Sequence, residues 1–325
     1  MRDPAEQASA EFLPVPLALV QPGTAPPAPL YLRVGASDAF TLYCAAHTEF
    51  DGEARRRLLE HGVQVLYLRV QDAGAHSEYV EQNLAAIIRD DLLPPGEASR
   101  LVYETSSRVV QQVFEDPRSG KGIARVAPVV HAAVTSIMRN ADALWEITDL
   151  ASHDYQAYTH SVHVSVLLVA FSLNVLGIED VDELECIGFG GMLHDLGKSL
   201  IPADILNKPG PLTDEEFGRV REHPLTGLSL VELHRELEAT EAAVIRSHHE
   251  RPDGRGYPDG LRHRDIPEPA RAAKVIDCYD AMTTERPHAR ARSPYEALRV
   301  MKRLDGQFDT AVLDGFIRLL GPRGD

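Results

Sequence analysis

Hydrophobic and polar positions change their rhythm about a third of the way along the chain. In the first part, apolar residues come in short runs of strand type. Pro14-Val-Pro-Leu-Ala-Leu-Val20 and Leu30-Tyr-Leu-Arg-Val34 flank the segment QPGTAPPAP, whose prolines and glycine make it a loop. Gly62-Val-Gln-Val-Leu-Tyr-Leu-Arg-Val70 alternates after the helix-like EARRRLLEH, so a strand following a helix is expected. From Ser77, EYVEQNLAAIIRDDLL has a helical period and stops at Pro94-Pro95. Residues 1–94 therefore read as a small α+β domain.

After Pro94-Pro95-Gly96 the period becomes helical almost throughout. From Glu97 to Glu115, Leu101, Val102, Val109, Val110 and Val113 recur as on one face of an amphipathic helix. Asp116 to Gly120 interrupts it, and Ala127 to Leu150 resumes. Further helices are expected at Thr159 to Leu176, Asp182 to Leu193, Asp214 to Arg221, Pro224 to Leu233, Ala239 to His248, Ala270 to Met282 and Ser293 to Leu304. The fold class is thus mostly α, with residues 95–150 as connecting helices and 151–325 as the principal domain. The most apolar stretch, Val162 to Ile178, carries His163, Ser165, Ser172 and Asn174, which suits a buried helix better than a membrane span.

Composition narrows the function. With 325 residues, 44% apolar and 25% charged, the chain can bury a sizeable core, and disorder, collagen and coiled coil are excluded. Asp plus Glu number 49 against 33 Lys plus Arg, a net charge of −16. A field of that sign repels a nucleic-acid backbone and an anionic membrane, so neither is an expected partner. An anionic substrate would have to meet a local group of Lys and Arg. MRDPAEQASAEF lacks the basic and then apolar order of a secretory signal. Cys44, Cys186 and Cys278 form no CxxC, which fits a reducing, cytoplasmic compartment, and Cys186 and Cys278 read as small buried side chains.

Five histidines fall where metal chemistry would want them: His160, His194, His223, His248 and His249. His194 precedes Asp195 in MLHDLGK. Neighbouring helical residues point about 100° apart, so the pair does not chelate one ion from a single face. Between two ions, His194 can hold one while the two oxygens of Asp195 bridge both. His248-His249 poses the same puzzle and has the same resolution. Histidine and carboxylate together suit Fe, Mn, Zn or Ni, and no cysteine lies in these motifs. His163, three residues after His160, reads as packing.

Taken in order, His160, His194-Asp195 with Lys198, His223 before Pro224, His248-His249, Asp253-Gly-Arg-Gly-Tyr-Pro258, and Asp277 in KVIDCYDAMTTERP form a set. From about Tyr155 to Phe316 this resembles the HD-GYP family, a branch of the HD superfamily of metal-dependent phosphohydrolases. The resemblance implies a helical HD-GYP bundle with one ion on His160, His194, Asp195 and Asp277, and another on Asp195, His223, His248 and His249. Iron is the first expectation and manganese the second. The implied reaction is hydrolysis of cyclic di-GMP to pGpG and onward to GMP. Lys198 would supply positive charge to the scissile phosphate or protonate the leaving oxygen. Tyr257, Arg286 and Arg290 would contact substrate, and a GGDEF-type cyclase is the partner that a docking role would take.

Some relatives hold a third metal through a glutamate one turn before the first histidine. Here that residue is Gln156, which implies a two-metal site. His288 stands where the family usually has tyrosine, and Ala289 where a basic residue is frequent. These departures support an alternative, a catalytically weak cyclic di-GMP sensor or protein-docking module. Residues before Pro95 show no paired carboxylates, phosphate loop or metal spacing, so regulation of the site, protein binding and pairing into a homodimer stay open.

Overall fold

The computed structural model describes residues 11–35, 39–140, 142–151, 157–285 and 290–321. It is 60% helical with one small sheet, which makes the fold class mostly α. The chain divides into two compact units, Met1–Ala98 and Ser99–Asp325.

In the first unit, β1 (Phe12–Pro16), β2 (Leu30–Val34), β3 (Ala39–Cys44) and β4 (Val65–Arg69) form an antiparallel sheet of order β1-β4-β2-β3. Val15, Leu30, Leu66 and Leu68 face a core shared with Leu17, Val20, Phe50 and Leu58. Pro14 and Pro16 lie on an edge strand, where a missing N–H is tolerated. The expected strand from Pro14 to Val20 is shorter, because after Pro16 the chain turns through a 3-10 segment, Leu17–Leu19. β3 was not expected at all. It is the other edge strand, and its Leu42 is 54% exposed, so it lacks the alternation that marks a half-buried strand. Helix α1 (Gly52–Glu60) starts at Asp51, whose carboxylate accepts from the Ala54 N–H. The single helix expected from Ser77 is two, α2 (Ala73–Gln82) and α3 (Leu84–Ile87). They are separated by Asn83, whose side-chain amide donates to the Tyr79 carbonyl.

The remaining helices are α4 (Pro95–Glu115), α5 (Gly120–Ala124), α6 (Val126–Arg139), α7 (Ala143–Ala151), α8 (Ala157–Asn174), α9 (Val181–Leu193), α10 (Ala203–Leu206), α11 (Asp214–Arg221), α12 (His223–Glu232), α13 (Ala239–Ser247), α14 (Glu268–Thr283), α15 (Pro294–Met301) and α16 (Thr310–Leu319). The helix expected from Ala127 to Leu150 breaks at Asn140, which is extended and whose Oδ1 accepts from the Asp142 N–H. α16 was also not expected. Asp309 caps it, and Val312, Leu313 and Phe316 form its buried face.

α8 is the axis of this unit. Every residue from Thr159 to Ser172 except His163 is buried, so the helix is enclosed on all sides, as an all-round apolar helix must be. α6, α7, α9, α14 and α16 pack on it. Among the described residues, no helix is long and apolar enough to cross a membrane. α9 approaches α8 closely at Gly191, where a Cβ would lie 2.8 Å from Ser165 Cα. Gly191→Ala is expected to lower stability. Overpacking costs about 1–3 kcal/mol, against about 1 kcal/mol gained in helix propensity. Urea unfolding checks this, and an unchanged midpoint would show that the two helices separate freely.

Candidate metal centre

Four helix ends and one helix side meet in the second unit. α8 brings His160 in its first turn, and α9 ends on His194. Asp195 follows with φ −98° and ψ 3°, outside the helix, so its carboxylate is not bound to the 100° spacing of helical neighbours. His223 opens α12, His248 caps α13 with His249 next, and Asp277 projects from α14. All are buried except His249, which is nearly so.

These side chains fall into two groups on either side of Asp195. Its Oδ2 faces His194 Nε2 at 3.5 Å and His160 Nε2 at 3.7 Å, and His160 Nε2 is 3.2 Å from Asp277 Oδ1. Its Oδ1 faces His223 Nε2 at 3.3 Å and His248 Nε2 at 3.8 Å. One donor atom from each of Asp195, His223, His248 and His249 lies within 4.8 Å of the others, and the same holds for His160, His194 and Asp277.

The tautomers are fixed from outside. Nδ1 of His194 lies 2.8 Å from the Gly191 carbonyl, that of His223 2.6 Å from Val220, and that of His248 2.9 Å from Ile245. A carbonyl only accepts, so each Nδ1 carries the hydrogen and each Nε2 presents a lone pair inward. His223 Nε2 and His248 Nε2 are 3.1 Å apart, two lone pairs facing each other. His194 Nε2 and Asp195 Oδ1 are buried with no hydrogen-bond partner. Burial holds His194, and more strongly His248 and His249, below the ordinary histidine value. Burial opposes charge on Asp195 and Asp277, yet Lys198 and His194 beside the first, and His160 and His249 beside the second, hold both well below the usual carboxylate range. Burial likewise opposes charge on His160, but its bonds to Asp277 and Asp280 outweigh it and push the ring up to about 9. Converging imidazole nitrogens and ionised carboxylates are a donor set for divalent cations. With no thiolate in either group, Fe, Mn, Zn or Ni fits better than a structural zinc of the cysteine type.

Around this set, Lys198 Nζ forms an ion pair with Asp195 Oδ2 at 2.6 Å. The Tyr257 ring stacks on His249, with centroids 4.7 Å apart, and the Arg221 guanidinium lies over the tyrosine ring, 5.2 Å from its centroid. Burial, with Asp277 and Asp195 nearby, pushes the Tyr257 phenol up, so it stays neutral. Asp253 holds its loop through Arg251 and through the Arg255 N–H. Arg290 is exposed and joins none of these contacts among the described residues. Arg286, Gln156, His288 and Ala289 lie outside the described residues.

Three side chains escaped the sequence reading. Asp280 bonds His160 Nδ1 at 2.5 Å and also bonds His163, so His163 is not mere packing. Glu250, 1% exposed, accepts from the N–H groups of Asp259, Gly260 and Leu261 and so fastens the loop that carries Tyr257. Arg221 precedes His223 by two residues. The only signals were the acid after His248-His249 and the second acid of IDCYD, one turn after Asp277.

Residues 146–312 match the family model described as HD domain. A cyclic di-GMP phosphodiesterase of Pseudomonas aeruginosa is 38% identical over 223 residues, covering 68% of this chain and 53% of its own. A cyclic di-GMP phosphodiesterase of Thermotoga maritima is 33% identical over 185 residues, 55% of this chain and 50% of its own. A 3'3'-cGAMP-specific phosphodiesterase of Vibrio cholerae is 30% identical over 190 residues, 57% of this chain and 42% of its own. The chain thus spans about half the length of the first two relatives. A solved HDG"Y"P protein from Bdellovibrio bacteriovorus shares the fold with a TM-score of 0.65, at 21% identity, over 95% of this chain and 99% of that one.

Proposed function

Since the chain belongs to the HD domain family, in its HD-GYP branch, we propose that it is a phosphodiesterase that hydrolyses cyclic di-GMP to pGpG, and onward to GMP, at a dinuclear metal site. One ion is assigned to His160, His194, Asp195 and Asp277, the other to Asp195, His223, His248 and His249, with iron as the first choice and manganese the second. The observation that carries this reading is the division of seven side chains into two donor groups, with one oxygen of Asp195 turned toward each. When bound, the two ions acidify water and neutralise charge at the attacked phosphate.

The chain's own residues supply the rest. Water adds to phosphorus as the bond to one 3' oxygen breaks, and that oxygen needs a proton. Lys198 Nζ sits at the rim of the buried carboxylate, with its side chain 27% exposed, and can place its charge by the phosphate or give up that proton. Tyr257, a neutral phenol beside His249, offers a further hydrogen-bond donor. Lys198→Met is expected to lower kcat by about 100-fold, the size of losing one charge-stabilising donor, with metal content retained. A loss of metal instead would assign Lys198 to holding Asp195.

The deciding experiment is to purify the protein without oxygen, load it with Fe(II) or Mn(II), and separate the nucleotides after adding cyclic di-GMP or, in parallel, 3'3'-cGAMP. Appearance of pGpG and GMP from the first supports the proposal. Turnover of 3'3'-cGAMP alone would reassign the substrate. Intact substrate with two ions bound would sink the enzyme and favour the sensor.

A further inference from the structure

The histidines of the two donor groups are not held alike. His194 and His248 cap the C-terminal ends of α9 and α13, and His223 follows Glu222, the C-cap of α11. There the last carbonyls of a helix lack intrahelical partners, and each Nδ1–H takes the carbonyl three residues back. His160 lies in the first turn of α8, where the carbonyls already serve the helix. Among the described residues, no spare carbonyl of that kind bonds its ring.

We propose that Asp280 is the positioning residue that supplies the acceptor, and that His163 holds Asp280 in place. This inference rests on the metal-centre reading above. Asp280 is 1% exposed and belongs to neither donor group. Its Oδ2 lies 2.5 Å from His160 Nδ1, while its Oδ1 is bonded by His163 Nδ1. Asp277 and Asp280 are one turn apart on α14, and they grip the two nitrogens of a single imidazole, Asp277 at Nε2 and Asp280 at Nδ1. His160 and His163 are likewise one turn apart on α8, so two turns of facing helix make one clamp. Among the described residues the other nitrogen of His163 has no hydrogen-bond partner, which leaves Asp280 as the use the described structure gives that ring. A carboxylate on the remote nitrogen orients a ligating imidazole and makes it a stronger donor than a carbonyl does.

The test is metal binding rather than turnover. Metal-free full-length protein is titrated with Mn(II) in competition with a chromophoric chelator, and folding is checked by thermal melting. Asp280→Ala should weaken one of the two ions about 10- to 100-fold and leave the other unchanged. Asp280→Asn, whose amide oxygen still accepts from His160, should recover most of that loss. His163→Leu should weaken the same ion by a smaller factor and add nothing in the Asp280→Ala background, because it acts only through Asp280. Wild-type affinity for both ions in Asp280→Ala, or additive losses in the double variant, would overturn the proposal. If Asp280→Ala does not fold, His163→Leu with unaltered affinity overturns it. Failure of the wild type to take up any ion would overturn the metal-centre reading, and this inference with it.

Discussion

Asp195→Ala is expected to abolish hydrolysis of cyclic di-GMP and to cut metal content from two ions to one or none. Asp195 is 2% exposed, and its two oxygens face different donor groups, at 3.5 Å from His194 and 3.3 Å from His223. Asp277 also faces both groups, with Oδ1 3.2 Å from His160 and Oδ2 3.9 Å from His249, but Asp195 meets two histidines on each side. On the proposed dinuclear reading, its removal strips a ligand from both ions and a negative charge from the buried space that would hold them. Metal assistance is worth several kcal/mol, and each ~1.4 kcal/mol is a decade in rate, so turnover should fall by about 1,000-fold or more. Product chromatography and metal analysis of the purified variant check both parts. Residual activity within tenfold of wild type would mean that the carboxylate does not bridge.

Much of this centre was legible because its residues sit in short sequence motifs. His194-Asp195, His223-Pro224, His248-His249 and Asp277 were each marked by a local pattern, and their convergence needed only that the helices fold together. Asp280 was not legible, because its meaning lies in a bond to a residue 120 positions away that no local period encodes. His163 was misread for the same reason: on a helix enclosed by apolar neighbours, its polar partner among the described residues comes from α14. In the fold, helices with one apolar stripe were clear, whereas the breaks at Asn83 and Asn140 were not. Each break is set by an asparagine side chain bonding the backbone against an otherwise helical pattern. β3 escaped because an exposed edge strand has no buried face to impose alternation.

Gly197→Ala should disable the centre without touching a ligand. A Cβ on Gly197 would lie 2.0 Å from the His223 carbonyl oxygen, 2.7 Å from Gly227 N and 2.8 Å from the His223 carbonyl carbon. All three are backbone atoms, so no side chain can swing aside, and the first turn of α12 has to move. His223 moves with it, away from Asp195 Oδ1 and from His248, whose Nε2 is 3.1 Å distant. Overpacking of this kind costs about 1–3 kcal/mol, and a shift of about 1 Å at a reacting centre costs about 100-fold in rate. The expected variant therefore melts lower, loses the ion assigned to His223, His248 and His249, and keeps the one assigned to His160, His194 and Asp277. Gly218→Ala is the control: Gly218 lies within α11 with nothing inside 4 Å of a new Cβ, so it should be neutral or gain about 1 kcal/mol of helix propensity. Equal melting points and equal metal content in the two variants would show that α12 can retreat from Gly197 without carrying His223 out of place.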